Sequence, residues 1–271
     1  MGYGSQGSIV SGYDRKTKQV VAIKVVDISK PNGMIGYHIE VDVHKKLANK
    51  SKYICEMLDH FRISNEGLGL IIMKKYETDL FDLYFDSDAE GDALPEKQLK
   101  QLFKQIAMGV RDLHRNGIAH LDIKPENILV DAKGNAVVCD FGCSYYSEKT
   151  KKFTKKNRKA EKIVNGLQGR GTKKYSAPEV FETDEFDPFK ADIYSLGVML
   201  HVLATGYFPI PGDLSFAAQK VDETCLSLLQ ILLAVDPKKR GTIDEVLAHS
   251  WFPTGSNLKS LSGKLPRFLR R

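Results

Sequence analysis

The sequence predicts an α+β fold in which strands come first and helices follow, and three stretches carry that reading. Val20-Val21-Ala22-Ile23-Lys24-Val25-Val26 is a β-branched run of the kind that fills a buried strand, and Leu68 to Met73 reads as a second strand. Further on, Leu99, Leu102, Phe103, Ile106, Val110 and Leu113 fall at helical spacing in one apolar stripe. At 271 residues and 42% hydrophobic, the chain can bury a substantial core, as one large domain or as two lobes.

Taken in order, Gly2-Tyr3-Gly4-Ser5-Gln6-Gly7-Ser8-Ile9 has the form GxGxxGx-aliphatic, whose missing side chains let backbone N–H groups approach a phosphate. The next strand carries Lys24 at its middle, and a buried ammonium is costly unless an acid pairs with it. Residues 34–48, following Pro31-Asn32-Gly33 as a breaker, place Glu40, Val43, His44 and Leu47 at helical spacing, with Glu40 the candidate partner. After Met73, Lys74-Lys75-Tyr76 is a connector into Asp79-Leu80-Phe81-Asp82. Pro95 to His114 is predicted as a helix, since Pro95 suits a first turn and Gly117 ends it. Ile128-Leu129-Val130 and Ala136-Val137-Val138-Cys139 read as a hairpin around Asp131 to Asn135, which sets Asn127 and Asp140 at neighbouring strand ends. Thr242-Ile243-Asp244-Glu245 is a capping box opening a helix.

His120-Leu121-Asp122-Ile123-Lys124-Pro125-Glu126-Asn127, followed by Asp140-Phe141-Gly142, sets two acids and an amide at short fixed spacings. Moving a phosphoryl group demands charge neutralisation and alignment more than covalent chemistry, and Asn127 and Asp140 are oxygen donors of the kind magnesium accepts. These phrases resemble the catalytic loop and magnesium loop of the eukaryotic protein kinases. Ala177-Pro178-Glu179, Asp192 to Gly197 and Asp236 to Arg240 extend the resemblance over nearly the whole chain. The Asp-x-Lys form of the loop is that of Ser/Thr-specific members, and its wording resembles the calcium/calmodulin-dependent and myosin light-chain kinase-like group.

The resemblance implies a two-lobed protein kinase fold: a small β-rich N-lobe over 1–74 with a truncated first strand, a larger mainly helical C-lobe over 75–253, and a basic tail over 254–271. It implies ATP and Mg2+ as cofactors. Gly2, Gly4, Gly7 and Ile9 would form the loop over the nucleotide, and Ala22, Met73, Lys75 and Leu129 its base pocket. Lys24 would hold phosphates while paired with Glu40, Asp79 or Asp82 would meet the ribose, and Asn127 and Asp140 would bind metal. Asp122 would orient or deprotonate the acceptor hydroxyl, Lys124 would sit beside the transferring phosphate, and Thr172 would contact both. Glu179 and Arg240 would form a buried ion pair, and Asp192 would anchor the catalytic loop. The implied activity is ATP-dependent phosphorylation of Ser/Thr on proteins; the alternative is a pseudokinase, a nucleotide-binding scaffold without turnover.

The net charge of +6 arises from local clusters, and no nucleic-acid module is visible. Cys55, Cys139, Cys143 and Cys225 show no paired spacing, which points to free thiols in the cytoplasm or nucleus. The N-terminus lacks the apolar run of a secretory signal, Gln6 argues against myristoylation at Gly2, and Ile193 to Phe208 is too short to span a bilayer, so no membrane partner is expected. A monomer acting on protein substrates is expected, with basic peptides favoured by Glu126 and Asp79.

Several features depart from the family pattern. Leu121 stands where an arginine usually reads an activation-segment phosphate. Residues 149–162 carry eight basic side chains, read as a solvated loop or as a dock for an acidic partner. About two dozen residues separate Pro209 from Asp236, with Asp213 to Lys220 the remnant of a docking helix. Met1 stands where an aliphatic residue would roof the adenine, so either ATP affinity is weak or the natural protein begins earlier. Cys139 is expected to be a packing thiol at the nucleotide pocket, and Leu258, Leu261, Leu265 and Phe268 lie in the tail among basic residues.

A leucine cannot fork onto a phosphate as an arginine does. Alanine at Thr150, Thr154 and neighbouring hydroxyl residues should therefore leave activity intact. A large loss, with phosphate restoring activity in the parent, would contradict this.

Overall fold

Strand pairing builds the N-terminal part. The computed structural model describes residues 3–4, 7–85, 96–146, 164–165 and 169–252. Strands β1 (Tyr3–Gly4) and β2 (Gly7–Asp14) form a hairpin, and β3 (Gln19–Asp27) pairs with β2. After helix α1 (Pro31–Leu47), β4 (Met57–Ile63) and β5 (Leu68–Lys74) complete an antiparallel sheet of order β1-β2-β3-β5-β4. The β-branched run therefore lies in an interior strand, where Lys24 pairs with Ile9 on one side and Ile71 on the other.

Helix α1 begins at Pro31, so Pro31-Asn32-Gly33 is its first turn and not a breaker. Proline lacks only an N–H that a first turn leaves unbonded anyway, and its fixed φ already suits the helix. Gly33 is needed there for close approach, since a Cβ would lie 1.9 Å from the carbonyl oxygen of Asp27.

Beyond Lys74 helices dominate. β6 (Thr78–Asp79) and α2 (Leu80–Phe85) lead to α3 (Glu96–Arg115), β7 (Ile118–Ala119) and the hairpin β8 (Ile128–Val130) and β9 (Ala136–Val138). β10 (Tyr145–Tyr146) pairs with β7, and β11 (Val164–Asn165) pairs with β12 (Glu185–Phe186), which follows α4 (Glu179–Glu182). Helices α5 (Pro188–Thr205), α6 (Glu223–Leu232) and α7 (Ile243–Leu247) close the chain's described part. The apolar stripe of α3 is buried as expected, from Leu99 to Leu113. α5 is apolar around most of its girth because it runs through the core; Asp187 caps its start and Gly206, at φ 81°, ends it. Among the described residues no helix is long and apolar enough to cross a membrane.

Two apolar clusters result. The larger joins Val43 and Leu47 of α1 to α3, α5 and α6, and the smaller gathers Val26, Tyr37, Val41, Ile71 and Met73 under the sheet. β9 serves both by alternation, with Ala136 and Val138 in the larger and Val137 in the smaller. This is the two-lobed α+β arrangement expected from sequence. Between Pro209 and Asp236 the stretch Asp213 to Lys220 holds a single 3-10 turn, Ala217–Gln219. The capping box forms as expected, with Thr242 Oγ1 accepting from Glu245 N and the Glu245 carboxylate accepting from Thr242 N. Gly2, Pro95, the basic run 149–162 and the tail 254–271 lie outside the described residues.

Candidate active site

The loop between β7 and β8 takes its shape from a buried carboxylate. Asp192 on α5 is fully buried; its Oδ2 accepts from His120 N at 2.7 Å and bonds His114 Nε2 at 2.8 Å, while Oδ1 accepts from Leu121 N at 2.8 Å. These bonds hold Leu121 at φ 63°, a left-handed conformation that costs a non-glycine residue on the order of 1 kcal/mol or more. Its side chain is 4% exposed and belongs to the larger core. The residue that departs from the family pattern is thus a packing residue. Its carbonyl oxygen abuts Gly171, where a Cβ would stand only 2.1 Å away.

From that anchor the chain presents a ring of polar groups. Thr172 Oγ1 donates to Asp122 Oδ1 at 2.8 Å and accepts from Lys124 Nζ at 2.8 Å, and Lys124 Nζ lies 3.2 Å from Asp122 Oδ2. Asn127, on the 3-10 turn Pro125–Asn127, donates through Nδ2 to the Asp122 carbonyl at 2.7 Å and to Asp122 Oδ2 at 3.0 Å. Asp122, Lys124, Asn127 and Thr172 are therefore brought together. The backbone bond from Cys139 N to Asn127 O, 3.0 Å, fixes Asp140 beside them at the neighbouring strand end.

Lys24 supplies the second centre. Its Nζ lies 2.7 Å from Glu40 Oε2 and 2.8 Å from Asp140 Oδ1, and Glu40 reaches it from α1. Burial opposes charge on all three groups. For Lys24 the pull of Glu40 and Asp140 outweighs burial and raises the ammonium pKa. Asp140 is likewise opposed by burial, yet Lys24 draws it below the usual carboxylate range. Glu40 goes the other way: burial pushes it up to about 7 against the pull of Lys24. Asp140 is accordingly the firmly ionised acid of the pair.

Phe141 is fully buried, edge-on between His44 at 5.0 Å and His120 at 5.5 Å. His120 bonds the Cys139 carbonyl through Nε2 at 2.9 Å and Asp122 N through Nδ1 at 3.2 Å. A carbonyl only accepts and an amide N–H only donates, so the ring is the neutral tautomer with hydrogen on Nε2. His44 joins this stack from one helical turn beyond Glu40, a spacing that carries the signal in sequence.

Around the expected nucleotide pocket, Ala22 pairs with Met73 across β3 and β5, Leu129 packs on the smaller cluster and Lys75 is exposed in the connector. Gly4 pairs with Gly7 in the β1–β2 hairpin, and a Cβ on Gly7 would lie 2.3 Å from the Val25 carbonyl oxygen. Ile9 lies opposite Lys24 with its side chain about half exposed. Asp79 Oδ1 accepts from Phe81 N and Asp82 N, so this acid is engaged in capping α2. Cys139 is buried, and burial pushes its thiol far up, as a packing role requires. Not foreseen from sequence, Lys46 Nζ sits 4.5 Å over the Tyr146 ring, and Arg170 Nη1 donates to the carbonyls of Cys143 and Ser144 at 3.3 Å. The expected ion pair is present and forked, Arg240 Nη1 to Glu179 Oε1 at 2.5 Å and Nη2 to Oε2 at 3.0 Å.

Comparison with known proteins gives one family. The model of the protein kinase domain matches residues 1–252. Putative sperm motility kinase W of Mus musculus is 29% identical, covering 93% of this chain and 48% of that protein. Serine/threonine-protein kinase SIK2 of Gallus gallus is 30% identical over 96% of this chain and 32% of its own length. CBL-interacting serine/threonine-protein kinase 12 of Arabidopsis thaliana is 30% identical over 94% of this chain and 52% of its own length. The chain thus spans about half or less of the length of these relatives.

The buried His44 carries a pH prediction. Burial, aided by the Lys24 charge, pushes it down to about 4 from an ordinary 6.5. The unfolded chain therefore takes up the proton first as pH falls, and the contribution present above pH 6.5 is lost between 6.5 and 4. Glu40, raised from 4.5 to about 7, acts in the opposite direction in part of that window, so the comparison must be with a variant. Relative to His44→Leu, the parent should lose on the order of 3 kcal/mol in urea unfolding across the window. Parallel stability curves would refute the assignment.

Proposed function

The chain belongs to the protein kinase domain family, and on that premise we propose that it transfers the γ-phosphoryl group of ATP to serine or threonine hydroxyls of proteins. The observation that carries this reading is the closed ring of Asp122, Thr172 and Lys124 beside Asn127 and Asp140. In it Asp122 is held from two sides, a posture suited to orienting an incoming hydroxyl and accepting its proton. Lys124 brings positive charge to the same point, where it would offset charge on the transferring group. Lys24, kept ionised by its two acids, would bind phosphate oxygens. Two of the relatives carry serine/threonine-protein kinase in their names, which supports the same acceptor class.

The donor set fits magnesium. Both N–H groups of Asn127 Nδ2 point to Asp122, so its carbonyl oxygen is the atom left to meet a cation, and Asp140 supplies a carboxylate of lowered pKa beside it. Bound there, the ion would neutralise phosphate charge. The exposed Glu126 supports a preference for basic residues near the phosphorylated site, and the basic run 149–162 supports an acidic docking partner. Four free cysteines support a reducing cytoplasmic or nuclear setting, and a monomer completes the reading.

The test is magnesium-dependent ATP turnover on a basic serine peptide. Asp122→Asn should lower kcat by roughly 10²-fold or more while ATP still stabilises the protein thermally. Nucleotide binding with no turnover in the parent would identify a scaffold instead.

A further inference from the structure

Arg170 stands between two glycines in the left-handed region, Gly169 at φ 70° and Gly171 at φ 84°. The turn is held on both sides. Gly169 N donates to the Val180 carbonyl at 3.0 Å, and Gly171 presses on the Leu121 carbonyl so closely that a Cβ has no room. Two residues beyond Arg170, Thr172 Oγ1 donates to Asp122 and accepts from Lys124. The backbone at Arg170 therefore leads directly into the polar ring.

Its side chain reaches back along the chain to the residues that follow Asp140-Phe141-Gly142. Nη1 donates to the carbonyls of Cys143 and Ser144, 27 and 26 residues earlier, at 3.3 Å each. Those acceptors are themselves fixed. Ser144 is fully buried and donates through its N to the Phe141 carbonyl at 3.0 Å, and the next two residues, Tyr145 and Tyr146, pair with Ala119 and Ile118 of β7. One guanidinium thus joins the strand that enters the catalytic loop to the turn that carries Thr172.

Among the described residues no carboxylate pairs with Arg170, so its charge is met by carbonyl oxygens. Each bond is longer than the usual distance of about 2.9 Å, and the pair acts through a full charge facing two dipoles more than through close geometry. Leu121 brings no cation to this place. We propose that Arg170 is a positioning residue for phosphoryl transfer. By clamping Cys143 and Ser144 it keeps Thr172 on Asp122 and Lys124 without a phosphate on the segment between. The inference rests on the phosphoryl-transfer reading and adds to it the residue that fastens the segment.

The full chain is assayed with magnesium-ATP and a basic serine peptide beside two variants. Arg170→Met should lower kcat roughly tenfold while KM for ATP stays within about twofold, since the nucleotide is held elsewhere, at Lys24. An ammonium also donates to carbonyls, so Arg170→Lys should return to within about threefold of the parent. Amide hydrogen exchange reads the clamp without turnover. In Arg170→Met the amides of Ser144, Tyr175 and Ser176 should exchange roughly tenfold faster, while those of α3 keep the parent's rates and report an intact fold. Arg170→Gln takes its place if the methionine variant unfolds. A parent without turnover refutes phosphoryl transfer and leaves the exchange rates to decide on Arg170. Parental kcat in Arg170→Met, a lysine variant as slow as the methionine one, or exchange rates that do not respond each overturn the proposal.

Discussion

Burying the ammonium of Lys24 between the neighbouring strand residues Ile9 and Ile71 is costly unless acids meet it, and two do. Glu40 reaches it from α1, which ties that helix across the sheet. Asp140 reaches it from the end of β9, which ties the hairpin to the same charge. One lysine therefore sets the relative position of the sheet, the helix and the strand end that carries Asp140. The same three-way pairing leaves the charge 4% exposed but satisfied, the state in which a lysine can exchange a carboxylate for a phosphate oxygen at little cost in solvation.

The second fixed point is Asp192, which works through the backbone. By accepting from His120 N and Leu121 N it holds a strained turn, and the turn aims Asp122 at Thr172 and Lys124. Phe141 links the two centres, because its ring touches His44 one turn from Glu40 and His120 next to the strained residue. With Leu121 packed in the core, the segment after Asp140 is fastened by other means. Tyr145 pairs with Ala119, Lys46 lies over Tyr146, and Arg170 donates to the carbonyls of Cys143 and Ser144. None of these contacts requires a phosphate.

Much of this was legible in sequence wherever burial and chemistry demand the same residues. The β-branched run around Lys24, the stripe of α3 and the hairpin beside Asn127 all emerged at their expected places, as did the pairs Lys24–Glu40 and Glu179–Arg240. What escaped depends on local geometry that composition does not encode. Pro31-Asn32-Gly33 has the letters of a break but forms a first turn, because Gly33 lets the turn press on Asp27. The two-residue strands β7, β10, β11 and β12 are too short for periodicity to register. Leu121 could be seen as unusual, but neither its positive φ nor its burial follows from spacing. Asp79, a candidate for the ribose, is engaged by the helix it caps.

The dependence of this assembly on one buried charge is open to a double-mutant cycle. Lys24→Met, Glu40→Leu and the double variant would be compared by urea unfolding at neutral pH. Lys24→Met should cost about 3–5 kcal/mol, since it leaves two buried acids without their cation, Glu40→Leu should cost less, since Asp140 still pairs with the ammonium, and the double change should cost less than their sum. Additive losses, with no coupling between the two positions, would contradict the account.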